Sequence, residues 1–310
     1  MEKRNFLKSN SLKTTRYIYF SLETRLLLIC LLFLGLNGCT SNLSIRKNIE
    51  SSRPLLSSEI DGEIWAKEHA PRSNVRGWEY LASKLTEQNI DPDIIEQIFS
   101  DKEMPLWTPI PFKVRPQESR AAYQKINNPK AQKNALEFYN QNKSYFKGAE
   151  KRFGVDKEII LAILQVETQC GKNTGNEPIF YWLARLVSAG FPPNIRYNVK
   201  ETKEEPKPTY RELEERAEWL EEEFMPHLLN LISTSNELQV KPISITGSKG
   251  GAIGLPQFLP GNIEKFGVDG DSNGAINLFT PADAIFSVGN FLKSHGWTKG
   301  LSIKEKTTVI

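Results

Sequence analysis

The stretch Asp156-Lys157-Glu158-Ile159-Ile160-Leu161-Ala162-Ile163-Leu164-Gln165-Val166-Glu167-Thr168-Gln169-Cys170-Gly171 decides how the rest of the chain is read. Asp156 stands where a helix N-cap belongs, and Ile159, Ile160, Ile163, Leu164 and Val166 give the helix a wide apolar face. Gly171 offers the left-handed conformation that closes many helices. Glu167 follows Ile163 by four residues and Leu164 by three, so it shares their core-facing stripe. It also stands in the last turn, at the negative end of the helix dipole. Burial and dipole both disfavour the carboxylate and push its pKa upward. A carboxylic acid kept protonated near neutral pH can hand a proton to a leaving glycosidic oxygen. By position alone, such a residue is more often an ordinary glutamate at a helix edge.

Around this helix lies a chain of ordinary globular composition: 310 residues, 39% hydrophobic and 25% charged. That length suits one sizeable domain behind a leader. The formal charge of +3 is concentrated at the N-terminus, where Lys3, Arg4, Lys8, Lys13, Arg16 and Arg25 face only Glu2 and Glu23. The remainder is nearly neutral, which argues against nucleic acid as a partner.

Residues Leu26 to Leu36 (LLLICLLFLGL) are an unbroken apolar run, the length of a signal-peptide core and short for a membrane span. The run ends in Leu36-Asn37-Gly38-Cys39, which resembles the lipobox of bacterial lipoproteins. On that reading residues 1–38 are a lipoprotein signal peptide, Cys39 is acylated, and the lipid holds the chain to a membrane. An uncleaved anchor, or a signal peptide with a chance cysteine, is the competing reading. Thr40 is not the acidic residue that retains many lipoproteins at the inner membrane, so a periplasmic, outer-membrane location is expected. Processing would leave Cys170 as the one thiol and no intrachain disulfide.

Residues 39–74, rich in Ser, Arg and Asn, read as a tether. From residue 75 to 310 the pattern is mainly α. Helices are expected at Trp78–Leu85 and, capped by Asp91, at Pro92–Phe99. A proline-rich irregular segment spans Met104–Pro116. One long helix is expected over Ala131–Arg152, with Leu136, Tyr139, Tyr145 or Phe146, and Ala149 inward, and another near Ile179–Ala189. Phe191–Pro208 reads as a surface loop. Tyr210–Ile232 is an acidic amphipathic helix with Leu213, Ala217, Leu220, Phe224 and Leu228 on one stripe, kinked or restarted at Pro226. A last helix is expected from Pro281 to His295.

Three further groups bear on chemistry. Gly250, Gly251 and Gly254 in Gly247–Pro260 permit close backbone approach, without the Gly-Lys-Ser/Thr ending of a phosphate loop. Asp269-Gly270-Asp271-Ser272-Asn273-Gly274-Ala275 matches the front half of a calcium loop, with oxygen ligands at Asp269, Asp271 and Asn273 and the Ala275 carbonyl. Thr280 stands where such a loop ends in Glu, and a polar Asx turn is the alternative. His69, His227 and His295 lack zinc spacing, so no transition metal is expected, and burial is expected for Cys170.

Phe153-Gly154-Val155, Val166-Glu167-Thr168-Gln169-Cys170-Gly171, Gly247-Ser248-Lys249-Gly250-Gly251-Ala252-Ile253-Gly254-Leu255-Pro256-Gln257-Phe258, Asn277-Leu278 and His295-Gly296-Trp297 together resemble the membrane-bound lytic murein transglycosylase B family. The resemblance runs from about residue 75 to 300. It implies a lysozyme-like α domain with a peptidoglycan-binding groove and a small helical N-terminal lobe. It also implies a catalytic Glu167, Ser248 and Gln257 lining the groove and bonded to the substrate or to Glu167, and Tyr123 and Arg216 on the substrate. Asp283 would close a structural calcium site with Asp269, Asp271, Asn273 and Ala275, and catalysis would need no cofactor. The implied reaction cuts the glycosidic bond between N-acetylmuramic acid and N-acetylglucosamine and leaves a 1,6-anhydromuramoyl end. The partners implied are peptidoglycan glycan strands, met by a monomer.

Three departures bear on that reading. The family carries further residues after the region of Trp297, with an Asn and Tyr cluster, so residues 75–310 read as a C-terminally shortened domain. Its paired arginines appear here as Glu215-Arg216, after an insertion over about 191–211, and Cys170 replaces an aromatic residue. A peptidoglycan-binding lipoprotein without turnover therefore competes with the enzyme. So does a hydrolytic muramidase, which needs a second carboxylate roughly 5 to 9 Å from the first.

Overall fold

The computed structural model describes residues 75–116 and 128–298. The leader, the tether, Cys39 and Tyr123 lie outside them. Ten α-helices, one turn of 3-10 helix (Pro242–Ser244) and one minimal two-stranded sheet account for the regular structure of the described residues, which is mainly helical as expected. None of these helices is long and apolar enough to cross a membrane.

Helices α1 (Glu79–Glu87) and α2 (Pro92–Ser100) open the domain. Asp91 caps α2 by accepting from the Asp93 N–H at 2.8 Å. Trp78, stacked on Phe99 with ring centroids 5.6 Å apart, is fully buried and donates its indole N–H to the Pro105 carbonyl at 2.9 Å. These helices share a core with α6 (Ile179–Leu186) and the second half of α8 (Tyr210–Glu237), built from Leu81, Leu85, Ile95, Phe99, Phe180, Leu183, Leu228 and Leu231.

The expected long helix over Ala131–Arg152 is two helices, α3 (Pro129–Gln141) and α4 (Lys143–Phe153). Asn142 interrupts them, because its side-chain amide donates to the Phe138 carbonyl at 2.9 Å and competes with the backbone ladder. Leu136, expected inward, is 44% exposed, whereas Phe146 and Ala149 are buried as expected. With α5 (Lys157–Thr168) and α10 (Pro281–Ser294), α4 encloses a second core of Phe146, Phe153, Ile160, Leu164, Ile285, Val288, Leu292 and Trp297.

The segment expected as a loop from Phe191 contains helix α7 (Pro192–Glu201). Hydrophobic periodicity misses it because asparagines hold it. Asn194 accepts from the Ile110 N–H at 2.7 Å and donates to the Ala189 carbonyl. One turn later, Asn198 accepts from the Phe112 N–H at 3.0 Å and donates to the Ile110 carbonyl. The irregular proline-rich segment is thereby stitched onto α7.

Helix α8 begins in a capping box, with Thr209 and Glu212 satisfying each other's backbone N–H groups, and continues through Pro226 without restarting. Leu213, Ala217 and Leu220 form a third, smaller core with Ile195 and Ala189. A short helix α9 (Pro260–Phe266), absent from the sequence reading, packs on α8, and His227 accepts the Gly261 N–H at 3.2 Å.

Glu221 fastens α1 to α8. It is 8% exposed, accepts from the Tyr80 hydroxyl at 3.0 Å and the Gly190 N–H at 2.7 Å, and pairs with Lys84 at 3.0 Å. Replacing it by alanine strands three donors. Glu221→Ala is expected to lower the free energy of unfolding by about 2 to 4 kcal/mol in urea titrations, and Glu221→Gln by less.

Candidate active site

Helix α5, anchored in the second core, carries Glu167 in its last turn. Ile160, Ile163 and Leu164 anchor its buried face, and Asp156 occupies the cap position. The helix ends at Thr168, and Gln169 rather than Gly171 takes the first left-handed conformation, with φ 54° and ψ 47°. Cys170 and Gly171 follow with φ of 59° and 89°. Gly171 therefore has the expected backbone, but two residues of larger cost precede it, at about 1–2 kcal/mol each. The Cys170 N–H closes the turn on the Leu164 carbonyl at 2.8 Å.

What holds this turn in place was not visible in the spacing of the sequence. The Thr168 hydroxyl donates to the Leu255 carbonyl at 2.8 Å and accepts the Gly171 N–H at 2.9 Å. The helix end is thus pinned to the glycine-rich turn Gly247–Phe258. That turn is in turn fixed by β2 (Thr246–Gly247), which pairs antiparallel with β1 (Glu177–Pro178). Gly175, at φ 82°, packs so closely that a Cβ would overlap the Gly247 carbonyl. No side chain is tolerated there.

Glu167 is half-buried, and its carboxyl makes no hydrogen bond or ion pair with any described residue. Burial alone raises its pKa, from 4.5 to about 8, with no neighbouring charge contributing. The direction is the one that position on the helix led us to expect. At neutral pH the group is an acid.

The other expected site residues are placed as follows. Ser248 is half-buried and its Oγ accepts the Ala252 N–H at 3.3 Å, leaving its own O–H free to donate. Gln257, with φ 53°, donates its amide to the Gly254 carbonyl at 2.9 Å and the Thr174 carbonyl at 3.2 Å, clamping the loop after Glu167 to the glycine-rich turn. Neither bonds Glu167. Arg216 stands on α8 with its guanidinium 4.0 Å from the centre of the Trp219 ring, also without a bond to Glu167. Phe258 is core, 2% exposed. Cys170 is buried, and its thiol, donating to Gln165 at 3.4 Å, is pushed up to about 12, outside thiolate chemistry.

The loop from Asp269 is ordered by its own acceptors. Asp269 takes the Asn273 and Gly274 N–H groups at 3.1 and 2.8 Å, and Asn273 takes that of Ala275 at 2.9 Å. Gly274 sits at φ 92°. Asp283, fully buried at the start of α10, accepts from Gly270 at 2.8 Å and Asn277 at 2.7 Å. Carboxylate oxygens of Asp269, Asp271 and Asp283 all lie within 4.8 Å of one another. Oxygens on opposite sides of a calcium ion are about 5 Å apart, so the donor set fits one. Thr280 caps α10 instead of closing the loop.

A family model described as "Transglycosylase SLT domain" matches residues 73–309. Membrane-bound lytic murein transglycosylase B of Escherichia coli (strain K12) is 34% identical over 176 residues, 57% of this chain and 41% of that protein. The match thus spans less than half of that relative. Among solved structures, the Escherichia coli lytic transglycosylase SLT35 in complex with bulgecin A superposes with a TM-score of 0.53 at 26% identity, covering 75% of this chain and 70% of that one. Soluble lytic transglycosylase SltB1 from Pseudomonas aeruginosa gives 0.52 at 28% identity, covering 73% and 68%.

The raised pKa has a stability consequence. Protonated Glu167 is compatible with the fold, so the native state binds its proton more tightly than the unfolded chain does. That stabilisation is complete below pH 4.5 and is lost as pH rises through about 8. Glu167→Gln, which carries no titrating group, is expected to match the parent near pH 4.5 and exceed it by on the order of 3 kcal/mol at pH 7. Thermal unfolding across that range measures the divergence, and parallel curves would contradict it.

Proposed function

The chain belongs to the transglycosylase SLT domain family, and on that premise we propose that it is a lytic transglycosylase acting on the glycan strands of peptidoglycan. The supporting observation is Glu167 itself: a lone carboxyl, protonated at neutral pH by burial, at a helix end pinned to the glycine-rich turn. The names of the relatives supply the substrate class, since those proteins are lytic and murein transglycosylases.

In the proposed reaction the Glu167 hydroxyl protonates the oxygen that leaves N-acetylmuramic acid, and the bond from that oxygen to C1 breaks. The substrate N-acetyl group stabilises the oxocarbenium-like centre. The Glu167 carboxylate then takes the proton of the muramic 6-hydroxyl as its oxygen bonds to C1, giving the 1,6-anhydro product without water. One group serves as acid and then as base, so its proton is returned each cycle. A hydrolytic route would instead use a second carboxylate roughly 5 to 9 Å from Glu167 to activate water or attack C1.

Ser248 and Gln257 are proposed to line the groove. Ser248 offers a free hydroxyl donor, and the Gln257 side-chain oxygen has no partner among the described residues. Tyr123 and Arg216 are proposed substrate contacts on the resemblance, Arg216 toward an acidic stem. Asp269, Asp271, Asn273, Asp283 and the Ala275 carbonyl are proposed to hold a calcium ion that ties the loop to α10 and takes no part in catalysis. Lipidation at Cys39 and an outer-membrane, periplasmic location complete the proposal, in keeping with the membrane-bound relative.

Digestion of purified sacculi followed by mass analysis tests the reading. Anhydro-ended fragments are expected; reducing ends would point to hydrolysis, and binding without fragments to a non-catalytic protein. Glu167→Gln should abolish cleavage, and kcat/KM of the parent should fall as pH rises through about 8, where the acid is lost. Calcium should raise the melting temperature of the parent but not of a variant carrying Asp269→Ala and Asp283→Asn.

A further inference from the structure

Trp182 on α6 meets Tyr181 edge-on, with ring centroids 5.9 Å apart, and otherwise sits among polar groups. Its neighbours on α6, Ile179, Phe180, Leu183 and Ala184, fill the first core, but Trp182 belongs to none of the three apolar cores among the described residues. The indole is half-buried and held by polar groups instead. Its Nε1–H donates to a Glu177 carboxylate oxygen at 3.4 Å, and the other oxygen of Glu177 pairs with Lys249 at 3.7 Å. The Arg185 guanidinium lies 4.8 Å from the ring centre and the Lys249 ammonium 5.4 Å.

The two cations differ in kind. Arg185 is 8% exposed and fixed by the Thr108 and Pro109 carbonyls, so it backs the ring from the protein side. The Lys249 side chain is 66% exposed on a flexible stem and can leave the ring at little cost. An oriented indole with a movable cation and a carboxylate at its edge matches the chemistry of a pyranose. The C–H face of the sugar covers the ring, and its hydroxyl and amide rim meets Glu177 and Lys249.

Position says which sugar. Glu177 lies on β1 and pairs with Gly247 on β2, and Ser248 and Lys249 follow directly in the glycine-rich turn to which the Glu167 helix is pinned. We propose that Trp182, with Lys249 and Glu177 at its rim, forms an additional subsite for an N-acetylated sugar of the same glycan strand that Glu167 cuts. This rests on the function proposed above and extends it to strand length: the subsite is reached by long substrates and not by short ones.

The experiment uses the full chain carrying Glu167→Gln, to prevent turnover, and isothermal titration with β-1,4-linked N-acetylglucosamine oligomers of two and six units. The six-unit oligomer is expected to bind more tightly, and Trp182→Ala to reduce that advantage about tenfold, with Trp182→Phe recovering part of it. An unchanged ratio of the two dissociation constants in Trp182→Ala overturns the subsite and leaves the enzyme reading intact. If neither oligomer binds while the active parent digests sacculi, the subsite alone falls. If neither binds and sacculi stay whole, both readings fall together.

Discussion

A neutral carboxyl beside an apolar core is the constraint on which the site depends. In water the group would ionise near 4.5, and a single ammonium or a few backbone N–H donors would lower it further. The fold supplies neither. It turns the end of α5 against the glycine-rich turn so that Glu167 is shielded without being satisfied. The turn itself is held by groups other than the acid: Thr168 on the Leu255 carbonyl, Gln257 on the Thr174 carbonyl, and Gly175 against Gly247. Backbone strain at Gln169 and Cys170 belongs to the same arrangement, because a relaxed helix end would carry the following loop elsewhere.

Much of this was legible in the sequence, and the failures have physical causes. The helix of Glu167 could be read because its face is apolar at regular spacing, and the rise in its pKa follows from that face. The Asp91 cap and the stripe on α8 were legible for similar reasons. Helix α7 was not, because Asn194 and Asn198 bind it through amides, and amides leave no hydrophobic period. The break at Asn142 depends on one side chain competing for a carbonyl, a choice that periodicity cannot register. Thr168 gives no signal in the sequence, because a threonine at a helix end is common and only the distant Leu255 carbonyl gives it a role. Ser248 and Gln257 lie on the turn that the motifs pointed to, yet their bonds go to backbone rather than to Glu167.

The supports divide the labour. Charged and polar fasteners, such as Glu221 with Tyr80, Lys84 and Gly190, join helices at the margins, whereas the cores that carry α5 and α6 are almost wholly apolar. Asp283 is a buried acid beside the second core, and each of its two oxygens accepts one backbone N–H of the Asp269 loop. Sites on such a scaffold inherit its rigidity, since the groups that orient them are not the groups that react.

The glycine-rich turn contributes Ile253 to the first core and, two residues later, Leu255 to the second. One short loop is therefore a rivet through both halves of the molecule. Neither half can melt while the other keeps its packing, so the domain should lose structure in one cooperative step. The turn itself would be among the last parts to exchange its amide protons.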